Sequence, residues 1–224
     1  FGTPNYYVQK LFSTNRPTRF VPSTQSTVST SKQKKAGGAI ILRTWNTAAE
    51  FRNITVTQRG RKERNDLNSP AAWQGGRRGE WTIENGVVRQ SSLQGDHEMR
   101  SSAEFPYSEY ALSFEARKIR GEEGFIVGLR DASDSKIYVN FGGWGNSKHA
   151  IQAGTTGEIL RQSRGAIRDG EWRQVRIVLN KDFITVQLDG KTVFSRVRSP
   201  EPDNPTFFSV CGYDQKTKEY IVKC

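Results

Sequence analysis

Apolar residues recur at every second position in many short runs of this chain, and turn residues separate those runs. In LSFEARK, Leu112, Phe114 and Ala116 fall on one side of an extended segment, while Glu115 falls on the other. The same period of two runs through GFIVGLRD, KIYVNFGG, WRQVRIVLN and FITVQLDGKTVFS. This is the side-chain period of a half-buried β-strand. The pattern predicts an all-β fold, an antiparallel β-sandwich of the jelly-roll type.

Turn residues indicate how the strands connect. Asn85-Gly86 and Asp189-Gly190 each separate two alternating runs. Both residue types tolerate the positive φ of a type I′ turn, so each pair predicts a tight hairpin. GGAIILRT and EFRNITV predict two strands nearer the start, and SVCGYD is expected to pair with EYIVKC at the end.

The first residues follow a different pattern. Pro4 precedes an apolar stripe of Tyr7, Val8, Leu11 and Phe12, which predicts a short helix over 1–14. The Ser/Thr-rich segment 15–35 has no apolar period and is expected to be a linker. The sandwich is expected to occupy 36–208.

Alternation also assigns polar side chains to the outside of the sandwich. Tyr138 and Asn140 oppose Val139 and Phe141, and Arg130 opposes the apolar residues of its own strand. If these strands are neighbours, one exposed face carries Glu115, Arg130, Tyr138 and Asn140.

A glycine-rich loop adds two further candidates. FGGWGNSKH places Trp144 between glycines, with His149 close behind it. An exposed indole offers a flat apolar surface to the C–H face of a sugar, while Arg, Glu and Asn hydrogen-bond its hydroxyls. The candidate substrate-binding set is Glu115, Arg130, Tyr138, Asn140, Trp144 and His149. The alternative is that Trp144 folds back as a lid over the sandwich edge. Trp81 and Trp172 are expected in the core, while Trp45 and Trp73 stay open.

Catalytic groups with a signature spacing do not stand out. His97 and His149 are the two histidines, and each reads as a hydrogen-bonding residue. Glu122 and Glu123 are adjacent and therefore point apart on an extended chain, which does not fit a glycosidase pair. We expect no catalytic residue in this chain.

Charge raises a competing partner. A formal net charge of +11 and a pI near 9.8 favour a polyanion such as nucleic acid. However, the basic residues are spread along the chain, many of them beside Asp or Glu. We therefore expect solvated sheet faces and no nucleic-acid partner.

Other features of the sequence are less informative. No apolar run is long enough to span a membrane, and a start at Phe1 suggests a piece of a longer protein. Cys211 and Cys224 read as structural or incidental thiols, and their redox state stays open. No cofactor is expected. A structural calcium ion remains an open alternative, with the loop carboxylates of Asp131, Asp134 and Asp203 as candidate ligands.

Both ends of the chain resemble one enzyme family. FGTPNYYVQKLFSTNRP resembles the last helix of the catalytic (β/α)8 barrel of family-51 α-L-arabinofuranosidases. SVCGYDQKTKEYIVKC resembles the strand pair that begins their C-terminal β domain, so 209–224 are expected to be the first strands of such a domain. Between them, EFRNITV, WTIENGVVRQ, FGGWGN and DGEWRQVRIVLN resemble a laminin-G or concanavalin-like module related to carbohydrate-binding module family 66.

The resemblance implies a non-catalytic carbohydrate-binding domain of an exported glycoside hydrolase that acts on arabinose-containing plant polysaccharide. Its partners would be an oligo- or polysaccharide and the upstream catalytic domain of the same chain, whose catalytic glutamates would precede Phe1. GGAIILRT normally closes such a sandwich but comes first here, so we expect a permuted insert in which it pairs with distant strands. Two alternatives are a structural spacer without a sugar site and an independent hydrolase of the keto-disaccharide hydrolase type.

Overall fold

A computed structural model describes residues 18–20, 37–58, 66–106, 109–131, 136–154, 156–180, 183–198 and 210–223. The chain divides into two compact units, namely Gln33–Pro202 and the two ends Phe1–Lys32 and Asp203–Cys224. The helix predicted over 1–14 lies outside the described residues, and of the predicted linker only 18–20 are described. The larger unit is the predicted antiparallel β-sandwich.

One layer of the sandwich is a seven-stranded sheet, here called the front sheet. Its strands in spatial order are β12 (Ile159–Arg164), β11 (Lys148–Ala153), β10 (Ile137–Gly142), β9 (Phe125–Asp131), β2 (Gly37–Trp45), β7 (Asp96–Pro106) and β4 (Trp73–Arg77). A short helical turn, α1 (Gly143–Asn146), connects β10 to β11.

The other layer, the back sheet, also has seven strands. In spatial order they are β15 (Lys191–Arg198), β14 (Phe183–Leu188), β13 (Trp172–Asn180), β8 (Tyr110–Gly121), β3 (Thr47–Gln58), β6 (Val87–Gln90) and β5 (Trp81–Glu84). Both predicted hairpins are confirmed, since Asn85, Gly86, Asp189 and Gly190 have φ values of 51°, 76°, 50° and 73°. Two 3-10 turns, Asp66–Asn68 and Pro70–Ala72, precede β4.

The smaller unit contains one three-stranded sheet. β16 (Val210–Asp214) pairs with β1 (Arg19–Phe20) on one side and with β17 (Glu219–Lys223) on the other. The β16–β17 pair is the hairpin predicted for the end of the chain. Its Tyr213 and Tyr220 rings pack 5.1 Å apart between centroids.

A cluster of four phenylalanines joins the two layers. Phe51 and Phe114 project inward from the back sheet, and Phe125 and Phe141 project inward from the front sheet. The Phe125 ring lies 5.9 Å from that of Phe51, 6.3 Å from that of Phe114 and 5.2 Å from that of Phe141, between centroids. The apolar side of each alternating run therefore faces the opposite sheet, and its polar side faces outward.

The chain crosses between the sheets at Asn46, which alone separates β2 from β3. Its φ of 46° turns the chain sharply, and its side-chain amide donates to Glu122 and accepts from the Gly95 amide. A side chain on Gly121 would meet the Asn46 carbonyl oxygen at 2.4 Å. As expected, the first two strands of the sandwich pair with distant segments: β2 lies between β7 and β9, and β3 lies between β6 and β8.

The tryptophans divide between core and surface. Trp73 is buried in the core and donates its Nε1 hydrogen to the Leu67 carbonyl at 2.7 Å, while Trp81 packs half-buried against the core. Placing Trp172 in the core was wrong. It pairs across the back sheet with Arg117, on the outer side of the alternation, and is half-buried there.

Truncation of Phe125 tests the importance of the phenylalanine cluster. Because Phe125 is fully buried and contacts three other rings, Phe125→Ala is expected to lower the free energy of unfolding by about 3–5 kcal/mol. Urea denaturation followed by circular dichroism measures the change. The control is Ile159→Ala on edge strand β12, where the side chain is 39% exposed and the expected loss is within about 0.5 kcal/mol. Equal losses in the two variants would contradict this picture of the core.

Candidate functional site

The outer face of the front sheet carries a cavity of about 390 Å³, here called the front cleft. Neighbouring strands line it with Arg43 on β2, Ile126 on β9, Tyr138 and Asn140 on β10 and Gln152 on β11. Trp45, Glu123 and Trp144 line it at one end of the strands, where β2 and β10 end and β9 begins. The turn after β11, including Gly154 and Gly157, lines it at the opposite end of the strands.

The strand register explains why these side chains meet. Tyr138 pairs with Gly128 on one side and Gln152 on the other, and Asn140 pairs with Ile126. Pairs directly opposite each other point to the same face of an antiparallel sheet. Tyr138 and Asn140 therefore face outward together, as the alternation predicts.

The ring of Tyr138 lies across its neighbouring strand. A Cβ atom at Gly128 would come within 3.0 Å of Tyr138 Cε1, so the absence of a side chain there makes room for the ring. Arg43 Cζ lies 4.8 Å from the ring centroid, and Lys136 Nζ lies 5.0 Å from it. Two cations thus hold the ring through cation–π attraction.

Arg43 is a fixed hydrogen-bond donor beside this ring. Its Nε and Nη2 atoms donate to the two carboxylate oxygens of Asp96 at 2.6 and 2.8 Å, a bidentate pair. Burial lowers the pKa of Arg43, but the hydrogen bond and charge of Asp96 outweigh burial and raise the pKa above its ordinary value. The guanidinium therefore stays charged, and its orientation is set by Asp96.

Trp144 stands on a left-handed turn. Gly142, Trp144, Gly145 and Asn146 have φ values of 67°, 52°, 66° and 58°, a conformation that costs energy for a bulky side chain such as Trp144. The indole is 38% exposed. The alternative of a buried lid is therefore not what the structure shows, because the ring stands at the rim of the cleft.

Four hydrogen bonds hold this turn in place. The Asn146 side chain donates to the Ile167 carbonyl at 2.9 Å and accepts from the Ile167 amide at 2.7 Å. The Gly145 amide donates to Glu123 Oε1 at 3.3 Å, and the Ser147 hydroxyl donates to the Trp144 carbonyl at 2.7 Å. Ligand-facing groups on such a turn are fixed before a ligand arrives.

Asn140 lies under the turn with an unsatisfied oxygen. The residue is 6% exposed and lines the cleft, yet its Oδ1 atom has no hydrogen-bond partner. Gly143 is packed so closely that a Cβ atom there would come within 2.7 Å of the amide. A buried acceptor without a donor costs about 1–3 kcal/mol.

His149 does not face the cleft, which corrects the expectation made from the sequence. It points inward from β11, is 6% exposed and packs against Phe141 with 5.9 Å between ring centroids. Its Nδ1 accepts a hydrogen bond from the Gly142 amide at 3.1 Å. His149 therefore supports the base of the Trp144 turn from the interior and is not positioned to contact a ligand.

Glu115 also lies away from the cleft. It is on β8 in the back sheet, whereas Tyr138 and Asn140 are on β10 in the front sheet. The expectation that these residues share one face was wrong, because alternation assigns a side of a strand but not its sheet. Arg130 lies on β9 of the front sheet, and its side chain is outside the described residues.

Sequence reasoning missed several residues of the cleft, among them Arg43, Trp45, Glu123 and Gln152. Arg43 and Trp45 alternate with the buried Leu42 and Thr44, so period two could have placed both on the outer face. Trp45 is 44% exposed. Glu123 had no comparable signal, because it lies outside any strand and reaches the cleft through the Trp144 turn.

The structure also bears on the adjacent glutamates, the candidate calcium ligands, the cysteines and the possibility of a membrane span. Glu122 and Glu123 do contact different elements, namely Asn46 and the Trp144 turn. The loop residues Asp134 and Asp203, the side chains of Asp131 and Cys211, and Cys224 lie outside the described residues. Among the described residues, no group of three or more His, Cys, Asp or Glu is arranged to hold a metal ion. No described helix has the length and apolar character needed to cross a membrane.

Comparisons with known proteins point to carbohydrate enzymes. A family model described as a 3-keto-alpha-glucoside-1,2-lyase-like domain matches residues 64–221, more than half of the chain. An extracellular exo-alpha-L-arabinofuranosidase of Streptomyces chartreusis is 28% identical over 231 residues, which cover 100% of this chain and 27% of that enzyme. The chain thus spans about a quarter of the length of this relative. No solved structure matches the chain significantly.

The buried His149 predicts a pH dependence of stability. Burial, with a smaller effect of the Arg173 charge, lowers the pKa of His149 below its ordinary value of 6.5. The unfolded chain then binds a proton more readily than the folded chain, so this contribution to stability is present above about pH 6.5 and is lost as the pH falls through the folded pKa.

The measurement is the free energy of unfolding from about pH 8 to pH 5 for wild type and His149→Asn. Asparagine keeps an acceptor near the place of Nδ1 but does not titrate, so the variant should lose less stability at low pH than wild type. All other groups titrate alike in both proteins, and parallel curves would therefore show that His149 is not involved.

Proposed function

Since the chain belongs to the family of 3-keto-alpha-glucoside-1,2-lyase-like domains, we propose that its sandwich binds carbohydrate in the front cleft. The observation that carries this proposal is the set of side chains around one cavity. Two exposed indoles, Trp45 and Trp144, stand at one end of a floor formed by Tyr138, Arg43 and Asn140.

The chemistry of this set suits a sugar. The C–H faces of a sugar ring pack on aromatic surfaces, while its hydroxyl groups need donors and acceptors in fixed positions. Arg43 supplies donors held by Asp96, and Gln152 supplies an amide. The cleft is lined by side chains of four neighbouring strands, β2, β9, β10 and β11, so a bound sugar can contact several of these groups at once.

The proposed role is non-catalytic tethering within a glycoside hydrolase that acts on arabinose-containing plant polysaccharide. The similarity to an extracellular exo-alpha-L-arabinofuranosidase supports export and this substrate class. Both chain ends resemble family-51 enzymes, and the center resembles modules related to carbohydrate-binding family 66. A linked catalytic domain then meets its substrate at a raised effective concentration, so a weak site is sufficient.

A second candidate function is cleavage of 3-keto-α-glucosides, and Glu123 is the observation that favours it. Its carboxylate lines the cleft, where it accepts from the Gly145 amide. As a base it would remove the proton at C2, next to the keto group; a C1=C2 double bond would form as the C1–O bond breaks, and the departing oxygen would take up a proton. Glu123→Gln separates the two functions, because it should abolish cleavage but leave binding measurable.

Titration with arabino-oligosaccharides tests the proposed binding. Binding should release heat and change tryptophan fluorescence, and Trp144→Ala should weaken it about tenfold or more, since truncating an aromatic anchor removes about 1.4 kcal/mol or more. The control is Tyr220→Ala, which removes an exposed ring of the smaller unit and should leave the affinity unchanged.

If millimolar oligosaccharide gives neither heat nor a fluorescence change with wild type, the binding proposal is wrong, and a structural spacer becomes the better interpretation. Appearance of a free sugar from a 3-keto-α-glucoside, lost in Glu123→Gln, would instead establish the second candidate.

A further inference from the structure

The outer face of the back sheet carries an ordered row of charged and aromatic side chains. Trp172 on β13 pairs with Arg117 on β8, Arg117 pairs with Glu50 on β3, and Glu50 pairs with Arg89 on β6. Glu50 is only 2% exposed in its side chain and binds both arginines, with Arg117 Nε donating to its Oε2 at 2.8 Å. This buried carboxylate fixes the two guanidinium groups at the surface.

A second row runs beside the first. Arg52 on β3 pairs with Glu115 on β8, and Glu115 pairs with Gln174 on β13. Arg52 Nε donates to Glu115 Oε2 at 2.6 Å. The guanidinium carbons of Arg52 and Arg117 lie 3.9 and 4.7 Å from the Trp172 ring, which further restricts their orientation.

Two cavities adjoin on this face. One, of about 670 Å³, is lined by the first row and Arg52, and the other, of about 310 Å³, is lined by Glu115, Gln174, Gln187, Asn53 and Arg176. The Arg52–Glu115 ion pair stands between them. The two cavities together are here called the back groove.

The charges of the back groove nearly balance, since four arginines and three glutamates line its two cavities, and this decides what kind of ligand fits. Arg52 is bound to Glu115, while Arg89 and Arg117 are bound to Glu50. Such pairs attract a polyanion weakly. However, a guanidinium has five N–H donors and a carboxylate about four acceptor sites, so each pair uses only part of its hydrogen-bonding capacity. Amides of Gln174, Gln187 and Asn53 add both donors and acceptors.

We propose that the back groove is a second carbohydrate-binding surface, specific for a neutral, hydroxyl-rich polysaccharide chain. It lies on the opposite layer of the sandwich from the front cleft. One domain would therefore hold two polysaccharide segments at the same time. Only the ligand class rests on the proposed function, since the residues of the back groove are entirely different from those of the front cleft.

The test is calorimetric titration of the full chain with neutral arabinohexaose and xylohexaose. Wild type should bind at two sites. Trp144→Ala should weaken the front site about tenfold or more and leave the back site unchanged. Trp172→Ala should do the reverse, and the double variant should be weakened at both sites. Thermal unfolding of each variant checks that the fold is intact.

Arg176→Ala provides a milder variant of the same surface. Arg176 is exposed, lines the smaller cavity and donates to the Ser113 hydroxyl at 3.1 Å, so its removal should weaken the back site by several fold without affecting the fold. The matched control is Arg168→Ala, an 81% exposed arginine that lines neither cavity and pairs with Glu171 at 3.6 Å. It should bind like wild type.

The outcomes separate the two proposals. A single site that is lost in Trp144→Ala and unaffected by Trp172→Ala and Arg176→Ala would overturn the back groove and leave the front cleft standing. A single site lost only in Trp172→Ala would do the reverse. A different result would be that Trp144→Ala binds polygalacturonate but neither neutral sugar, and that this binding disappears as NaCl is raised from roughly 50 to 500 mM. That result would overturn the neutral ligand class.

Discussion

The packing of Phe51 and Phe114 against Phe125 and Phe141 determines which sides of β3, β8, β9 and β10 face outward. Each ring fixes which side of its strand is buried, and a strand has only two sides. Tyr138 faces the front cleft because Val139 and Phe141 on the same strand face the core. Glu115 faces the back groove because its neighbour Phe114 faces the core. Both surfaces therefore depend on one apolar cluster, and its Phe114 also lines the smaller cavity of the back groove.

The front cleft also depends on a turn that ordinary preferences disfavour. Trp144 has a positive φ, and the unsatisfied Asn140 oxygen lies beneath it. The Asn146 side chain, the Glu123 carboxylate and the buried His149 ring offset these costs by holding the turn from three sides. Conformational strain held by surrounding contacts is common where a protein presents a side chain to a ligand.

The sequence was sufficient for the fold but only partly for the site. Period two and the hairpin signals at Asn85 and Asp189 depend on neighbouring residues, so the strands and their buried sides could be read directly. Sheet membership depends on pairings between distant strands, and this is why Glu115 was placed on the wrong layer. The prediction for His149 was wrong for another reason. The sequence of a strand does not show whether a buried backbone amide, here that of Gly142, can donate to a histidine ring nitrogen.

The corner at Asn46 has a consequence for how the protein folds. A single residue separates β2 from β3, yet these strands occupy inner positions of different sheets, between partners that come much later in the chain. Neither layer can be completed by local hairpins alone. Assembly of both layers must wait for the same early segment to find distant partners, which predisposes the protein to slow, all-or-none folding.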